Sequence, residues 1–127
     1  MSEGGLRIKG SFKNDQDNKP LISVITIVFN DEKSIEETVS SVLSQAYSNL
    51  EYIIIDGGST DNTLNIIKEY ESSIDYWISE KDSGIYDAMN KGCSLAYGSG
   101  IIFLNSGDKF VGKVFNNKPE IPMQIPP

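Results

Sequence analysis

The sequence predicts an α/β fold in which helices cover both faces of a mainly parallel sheet. Two observations support this prediction. Short apolar runs rich in β-branched residues alternate along the chain with segments of helical periodicity, and a polar loop follows each apolar run. Such alternation is typical of parallel strands joined by right-handed helical crossovers, which form three layers with the sheet in the middle.

The first strand and the first helix are defined by their hydrophobic patterns. Residues Leu21–Phe29 are almost all apolar, as expected for a strand that is covered on both faces. Ser34 and Glu37 have the spacing of a capping box, which marks the start of a helix. The apolar face of this helix recurs at i, i+4, i+7 and i+8 and consists of Ile35, Val39, Val42 and Leu43.

The following elements repeat this order. Tyr52–Ile55 is a second buried strand that ends at Asp56, and two glycines then permit a tight turn into a helix at roughly 60–70. Ile74–Ser79 is a shorter and more polar strand. A third helical pattern follows it, and Ile101–Leu104 is the last clear strand. The predicted order is therefore β-α-β-α-β-α-β.

The two ends of the chain differ from this core in composition. Residues 1–20 are polar and contain several glycines, which predicts a flexible arm before the domain. Residues 111–127 contain four prolines, a density that no helix or central strand tolerates, so we expect an extended or disordered tail. The sequence thus predicts one domain over residues 21–110.

Composition argues against several classes of function. The formal net charge is −7 and the cations are scattered, which disfavours nucleic-acid binding through a basic patch. The chain has no histidine, so the commonest general base and metal ligand is missing. Cys93 is the single cysteine, which excludes an internal disulfide, and its helical context predicts a buried side chain.

Because no apolar segment is long enough to span a bilayer, we expect a cytoplasmic protein, at most peripheral at the inner membrane face.

Polar clusters follow the strands at the edge where sheets of this kind bind ligands. The carboxyl ends of parallel strands meet at one edge, so side chains that follow different strands are expected to lie together. The clusters are Asn30-Asp31-Glu32, Asp56, Asp82 to Asp87, and Asn105 to Asp108. Each cluster alone is equally compatible with helix capping or a solvated loop. Carboxylates in all four clusters favour a binding site.

Two residues at this edge are candidates for specific ligand contacts. Asp108 follows an apolar strand and two small residues, which predicts an exposed carboxylate. Mg²⁺ and Mn²⁺ bind oxygen ligands and often use one or two carboxylates together with substrate phosphates. The alternative for Asp108 is a turn cap beside Gly107. Phe29, at the end of the first strand, could offer a flat face to a base or belong to the core.

Five motifs, taken in order, make the chain resemble the family 2 glycosyltransferases. They are PLISVITIVFN (20–30), SVLSQ (41–45), IIDGGSTDNT (54–63), EKDSGIYDAMNKG (80–92) and FLNSGD (103–108). The resemblance covers about residues 6–110. It implies an inverting, metal-dependent enzyme with the Rossmann-like GT-A fold, which transfers a sugar from a nucleotide diphosphate to a hydroxyl acceptor. Many members of this family build bacterial surface polysaccharides.

The resemblance also implies roles for individual residues. Ile27 and Phe29 would lie against the base, typically uracil, and Asp56 would help to hold the base or the ribose. Asp108 matches the metal-binding carboxylate of the family, with Mn²⁺ or Mg²⁺ as the cofactor. The implied partners are a UDP-sugar and a saccharide or lipid-linked acceptor. The residues implied to bind the nucleotide sugar are Ile27, Phe29, Asn30, Asp56, Asp82, Asp87, Asn105 and Asp108.

The chain departs from the family in its motifs and in its length. Gly57 and Gly107 stand where many members have an aspartate, and the arginine often found near Met89 is missing. The general base of the family comes from the half that follows the metal loop, and the residues after Asp108 do not resemble that half. We therefore expect a donor-binding half, truncated after the metal-binding loop, that by itself binds donor weakly and transfers little sugar.

Two other hypotheses stand beside this one. A catalytically inactive module for nucleotide binding or assembly would keep the fold and could form homo-oligomers through an uncovered sheet edge. An ordinary dinucleotide-binding domain is the weaker hypothesis, because Asn30-Asp31-Glu32 follows the first strand in place of the fingerprint G-x-G-x-x-G.

Overall fold

The computed structural model describes residues 1–16 and 18–112, which contain five strands, three α-helices and two short 3-10 helices. The strands are β1 Ser2–Gly4, β2 Ile22–Val28, β3 Leu50–Asp56, β4 Tyr76–Ser79 and β5 Gly100–Phe103. The helices are α1 Ile35–Leu43, α2 Thr63–Glu69 and α3 Ile85–Leu95, and the 3-10 segments are Leu6–Lys9 and Glu71–Ser73. The predicted alternation after residue 20 is confirmed. The tail predicted for residues 111–127 lies, from residue 113 on, outside the described residues.

The five strands form one sheet in the order β1-β4-β3-β2-β5. Strand β2 pairs in parallel with β3 on one side and β5 on the other, and β3 pairs in parallel with β4. Strand β1 is the antiparallel edge strand beside β4. The chain reverses its direction across the sheet at β2. A reversal of this kind opens a crevice for ligands at the carboxyl ends of the strands.

Helices pack on both faces of the sheet, as predicted. On one face, Val24 of β2 belongs to a buried cluster with Val39 of α1 and Ile67 of α2. On the other face, Ile25 of β2 belongs to a cluster with Ala88 of α3. This alternation along β2 explains why its sequence is apolar without interruption. None of the helices within residues 1–16 and 18–112 is long and apolar enough to cross a membrane.

The first sixteen residues are part of the fold, in contrast to the flexible arm expected from their composition. Strand β1 pairs with β4, with Gly4 opposite Trp77. Behind it, Arg7 Nη2 lies 2.7 Å from Glu51 Oε1, and these side chains are 7% and 1% exposed. The Arg7 guanidinium also lies 4.3 Å from the ring centroid of Tyr97. A lone arginine among glycines gives no periodic signal, so sequence reasoning could not anticipate a partner 44 positions away.

Two smaller predictions are wrong. Ser34 is the N-cap of α1, but its side chain makes no capping hydrogen bond, so the capping box with Glu37 does not form. Glu37 instead pairs with Lys109, with Oε1 and Nζ 2.8 Å apart. Cys93 is exposed rather than buried, because it follows Gly92, the residue with which α3 contacts the sheet. A helical pattern alone did not distinguish these two adjacent positions.

We expect Glu51→Gln to destabilise the fold by about 3 kcal/mol or more, because the Arg7 guanidinium stays buried without its counter-charge. The Glu51 carboxylate also accepts hydrogen bonds from the Ser23 hydroxyl and the backbone N–H of Tyr97. An amide can satisfy these two donors only in part. Urea unfolding followed by circular dichroism measures the change in the free energy of unfolding.

Glu37→Gln is the matched control for this experiment. It makes the same chemical change in an ion pair whose side chains, Glu37 and Lys109, are 68% and 50% exposed. Exposed pairs contribute little to stability, so this variant should unfold as the wild type does. If Glu51→Gln also unfolds as the wild type does, the buried pair does not hold the amino-terminal segment.

Candidate functional site

An open cavity of about 560 Å³ lies at the carboxyl ends of β2, β3 and β4, next to the start of α3. Its volume is in the range of small-molecule binding sites, and its walls are mostly apolar with a few polar groups. The lining residues are Ile27, Val28, Phe29, Gly57, Gly58, Lys81, Asp82, Gly84, Ile85 and Ala88. The cavity therefore lies where the parallel sheet predicted a ligand site.

The apolar wall of the cavity comes from β2 and α3. Ile27 packs against the cluster on the α3 face of the sheet. Phe29, directly after β2, is 61% exposed, and Ile85 at the start of α3 is 51% exposed. Large apolar side chains that remain this exposed at a cavity are available to contact a ligand. The structure thus brings the predicted site residues Ile27 and Phe29 to one wall.

Asp56 shapes the cavity without lining it. The residue is 1% exposed. Its Oδ2 accepts hydrogen bonds from the N–H groups of Gly58 and Ser59, at 3.2 and 2.9 Å, and from the Ser79 hydroxyl at 2.6 Å. Its Oδ1 accepts a hydrogen bond from the Ser59 hydroxyl at 2.5 Å. Gly58 has φ +89°, a conformation that favours glycine. Asp56 therefore fixes the Gly57-Gly58 turn against the end of β4.

Asn30 joins the loop after β2 to the loop after β3. It has φ +47°, which is uncommon for a residue with a side chain. Its Oδ1 accepts hydrogen bonds from the N–H groups of Thr60 and Asp61, at 2.7 and 3.3 Å, and its own N–H donates to Ser59 Oγ at 2.8 Å. A hydrogen bond from the Thr63 hydroxyl lowers the pKa of Asp61. The predicted site residue Asn30 thus fixes loop geometry beside the cavity.

Asp82 and Asp87 hold the beginning of α3. Asp82 Oδ1 accepts a hydrogen bond from the N–H of Gly84 at 3.1 Å, and Asp87 Oδ2 accepts one from the N–H of Ser83 at 2.9 Å. Asp82 also lines the cavity, whereas Asp87 does not. A Cβ atom on Gly57 would lie 3.1 Å from Asp82 Oδ2, tighter than ordinary contact. The glycine at position 57 therefore leaves room for the Asp82 carboxylate in the cavity wall.

Lys81 is a site residue that the sequence analysis did not single out. It is the one cation among the lining residues, and none of the ion pairs between described residues involves it. The amino terminus of α3, whose N-cap Gly84 also lines the cavity, adds a partial positive charge to the lining. An exposed loop lysine is common, so the only signals were its neighbour Asp82 and its place in the motif EKDSGIYDAMNKG, a segment that the family resemblance implies to line the diphosphate and sugar side. This part of the cavity can receive an anion.

Asn105 and Asp108 form a turn after β5. The N–H of Asp108 donates to the carbonyl oxygen of Asn105 at 3.0 Å, and Gly107 between them has φ +99°, as in a type II turn. The N–H of Ser106 donates to the carbonyl oxygen of Ile27 at 3.0 Å, which places the turn beside the cavity wall. Asp108 is exposed, as predicted. The turn therefore joins the predicted metal ligand to the same edge of the sheet.

The turn carries oxygen atoms of the type that a hard divalent cation binds. Oδ1 of Asn105 is buried and has no hydrogen-bond partner among the residues that the structure describes. Mg²⁺ usually takes one or two carboxylates from the protein and completes its shell with water and phosphate oxygens. In residues 1–16 and 18–112, no group of three or more His, Cys, Asp or Glu side chains could hold a metal. Asn105 and Asp108 could therefore hold a cation tightly only with a ligand that supplies further oxygens.

The family model for glycosyl transferase family 2 matches residues 23–110. An uncharacterized glycosyltransferase of Mycobacterium tuberculosis is 47% identical over 94 residues, which cover 73% of this chain and 36% of the relative. TuaG of Bacillus subtilis, provisionally named a teichuronic acid biosynthesis glycosyltransferase, is 45% identical over 96 residues, which cover 72% of this chain and 38% of TuaG. The chain spans little more than a third of the length of these relatives.

Solved structures share the fold. The fragment 1–349 of TarS of Staphylococcus aureus, in complex with UDP-GlcNAc, superimposes with a TM-score of 0.63 at 28% identity and covers 70% of this chain, which spans 27% of that fragment. The mannosyltransferase PcManGT of Pyrobaculum calidifontis, in complex with GDP-Man and Mn²⁺, has a TM-score of 0.64 at 23% identity. It covers 68% of this chain, which spans 27% of PcManGT. The mainly parallel sheet with its helices is thus the Rossmann-like GT-A fold, and the chain belongs to glycosyl transferase family 2.

Proposed function

We propose that this chain binds the nucleotide-sugar donor of an inverting glycosyltransferase, and that the donor is a UDP-sugar. The observation that carries this proposal is the cavity at the carboxyl ends of β2 to β4, which combines an exposed aromatic face with a lysine and a helix amino terminus. Such a cavity suits a ligand that is flat at one end and anionic at the other. TarS, which shares the fold, was solved with UDP-GlcNAc, and this supports the assignment.

The base of the nucleotide would lie at the apolar wall. Phe29 exposes its ring there, and Ile27 and Ile85 provide further apolar surface in the same wall. Stacking of a base on an aromatic side chain contributes about 1–3 kcal/mol and tolerates any base. The Asp82 carboxylate, which also lines the cavity, accepts hydrogen bonds and would select donor groups on the ribose or the sugar.

The diphosphate would lie at the polar wall. Lys81 and the amino terminus of α3 provide positive charge there, but the formal net charge of the whole chain is −7. A divalent cation, Mn²⁺ or Mg²⁺, held by Asp108 and Asn105, would offset the charge of the departing diphosphate. PcManGT, which shares this fold, was solved with GDP-Man and Mn²⁺, and this supports the choice of a divalent cation.

In the proposed reaction, an acceptor hydroxyl attacks the anomeric carbon of the bound sugar. The bond from that carbon to the diphosphate oxygen breaks, and the configuration inverts. The proton of the hydroxyl passes to a general base, which we place in the part of the enzyme that follows the metal turn. The provisional name of TuaG supports a role in bacterial surface polysaccharide synthesis. The acceptor, a saccharide or lipid-linked sugar, and a cytoplasmic location belong to the same proposal.

Nucleotide binding should stabilise the chain in a metal-dependent way. We expect UDP with Mn²⁺, at about 100 times its Kd, to add about 2.7 kcal/mol to the free energy of unfolding, which raises Tm by roughly 10 °C. Asp108→Ala should lose the increment due to Mn²⁺ and keep the increment due to UDP alone. Thermal-shift titrations with UDP, GDP and dTDP, each with and without Mn²⁺, measure both increments and identify the preferred base.

Glu69→Ala is the matched control, because it also removes one negative charge. Glu69 is exposed in the last turn of α2 and does not line the cavity. This variant should respond to UDP and Mn²⁺ as the wild type does. An equal response of Asp108→Ala would refute the metal assignment. No shift of the wild type with any of the three nucleotides would refute donor binding.

The two walls of the cavity should be separable by mutation. Phe29→Ala should weaken uridine and UDP alike, by about 5- to 150-fold, because both lose the stacking surface. Lys81→Met should weaken UDP by about tenfold or more and leave uridine unchanged, because only UDP presents charged phosphates to the lysine. Isothermal titration calorimetry with uridine and UDP provides the dissociation constants.

Lys9→Met provides the control for the lost positive charge. Lys9 is exposed at the end of the first 3-10 segment and does not line the cavity, so its loss should not change either affinity. Equal losses of uridine and UDP affinity in Lys81→Met would place the lysine away from the phosphates. Unchanged affinities in Phe29→Ala would remove the base from the apolar wall.

A further inference from the structure

Helix α1 and the residues just after it carry a polar stripe formed by Thr38, Ser41 and Gln45. Thr38 and Ser41 are spaced at i and i+3, so they lie on one face of α1, and Gln45 lies beyond the C-cap Ser44. Each side chain hydrogen-bonds to the backbone of residues 107–112, the segment that contains Asp108. Ser41 and Gln45 belong to the motif SVLSQ, which the proposed donor contacts do not use. The stripe therefore holds the backbone of the segment that contains the metal turn.

Thr38 contacts the metal turn directly. The residue is 1% exposed, so its hydroxyl is shielded from water. Oγ1 donates to the carbonyl oxygen of Asp108 at 2.6 Å and accepts a hydrogen bond from the N–H of Gly107 at 3.2 Å. One hydroxyl thus binds backbone groups on both sides of the Gly107–Asp108 peptide. This arrangement restrains the direction in which the Asp108 side chain leaves the turn.

Ser41 and Gln45 hold the chain that follows the turn. Ser41 Oγ accepts a hydrogen bond from the N–H of Phe110 at 3.1 Å and donates to the carbonyl oxygen of Thr38 at 2.8 Å. Gln45 Nε2 donates to the carbonyl oxygen of Gly112 at 2.8 Å. The segment is therefore tied to α1 and to the residue that follows its C-cap by several hydrogen bonds.

Asp31, in the loop after β2, also restrains the metal turn. Its Oδ2 accepts a hydrogen bond from the Ser106 hydroxyl at 2.7 Å, and its backbone N–H donates to Thr63 Oγ1 at 2.9 Å. The turn is thus fixed between α1 and the loop after β2. Neither Thr38 nor Ser41 lines the cavity, so any effect of these residues on a ligand must act through the turn.

We infer that Thr38 and Ser41 are positioning residues that hold the Asp108 turn in the conformation that binds the divalent cation. This inference rests on the metal site of the proposed function. A metal site with few protein ligands binds its ion more tightly when the turn that carries them is already ordered. The free energy of binding is then not reduced by the entropy lost in ordering the turn. Partners that orient metal ligands typically change metal affinity by 10- to 100-fold.

Thr38→Val tests this inference, because it replaces the hydroxyl by a methyl group of the same shape. We expect faster amide hydrogen exchange at Gly107 and about 10- to 100-fold weaker Mn²⁺ binding, and unchanged affinity for UDP without metal. Mn²⁺ affinity is measured with and without UDP from the paramagnetic broadening of the amide signals of residues 105–112. Thr38→Ser keeps the hydroxyl and should restore both the exchange rate and the affinity.

Ser40→Ala is the control on the same helix, since the Ser40 hydroxyl contacts Tyr70 rather than the turn. It should bind Mn²⁺ as the wild type does. Wild-type Mn²⁺ affinity in Thr38→Val, or no Mn²⁺ broadening of the turn in the wild type, would overturn the inference. A loss of Mn²⁺ affinity in Thr38→Val would support it even if no nucleotide binds, in which case the donor proposal alone fails.

Discussion

The buried carboxylate of Asp56 is the interaction on which the cavity depends. Burial of a charge at the end of β3 is costly, and four hydrogen-bond donors from the following turn and from β4 offset that cost. The result is a turn of fixed shape that places Gly57 and Gly58 on the cavity wall. The same turn presents the Ser59 hydroxyl to Asn30. The loop after β2 therefore takes part of its position from the buried Asp56 carboxylate.

The loops after β2, β3 and β5 form one connected structure rather than three independent segments. Asn30 joins the first loop to the second, and Asp31 joins the first loop to the turn after β5. Each of these side-chain hydrogen bonds contributes only about 1 kcal/mol, so their importance is geometric. Groups held in place before a ligand arrives need no reorganisation on binding, and supporting contacts of this kind keep a site accurate. The apolar sheet beneath supplies the stability that the loops lack.

Part of this arrangement could be predicted from the sequence, and part could not. The alternating apolar runs predicted the parallel sheet, and the ends of its strands placed Ile27, Phe29 and Asp108 at one edge. The orientation of a carboxylate after a strand has no sequence signal. The sequence around Asp56 is therefore equally compatible with a carboxylate that faces a ligand and with one that accepts hydrogen bonds from its own turn. Lys81 was overlooked because exposed loop lysines are common.

The pairing of β1 with β4 has a consequence for the synthesis of the chain. Ser2 lies opposite Ser79, so β1 is made 77 positions before its partner strand (79 − 2 = 77). At ribosomal rates this interval lasts roughly 4 to 15 seconds. During that time β1 has no edge to join. Once β4 is made, its outer edge stays open until β1 pairs with it. An open edge is a template for other chains, so the antiparallel strand that completes this sheet also ends a period of exposure to aggregation.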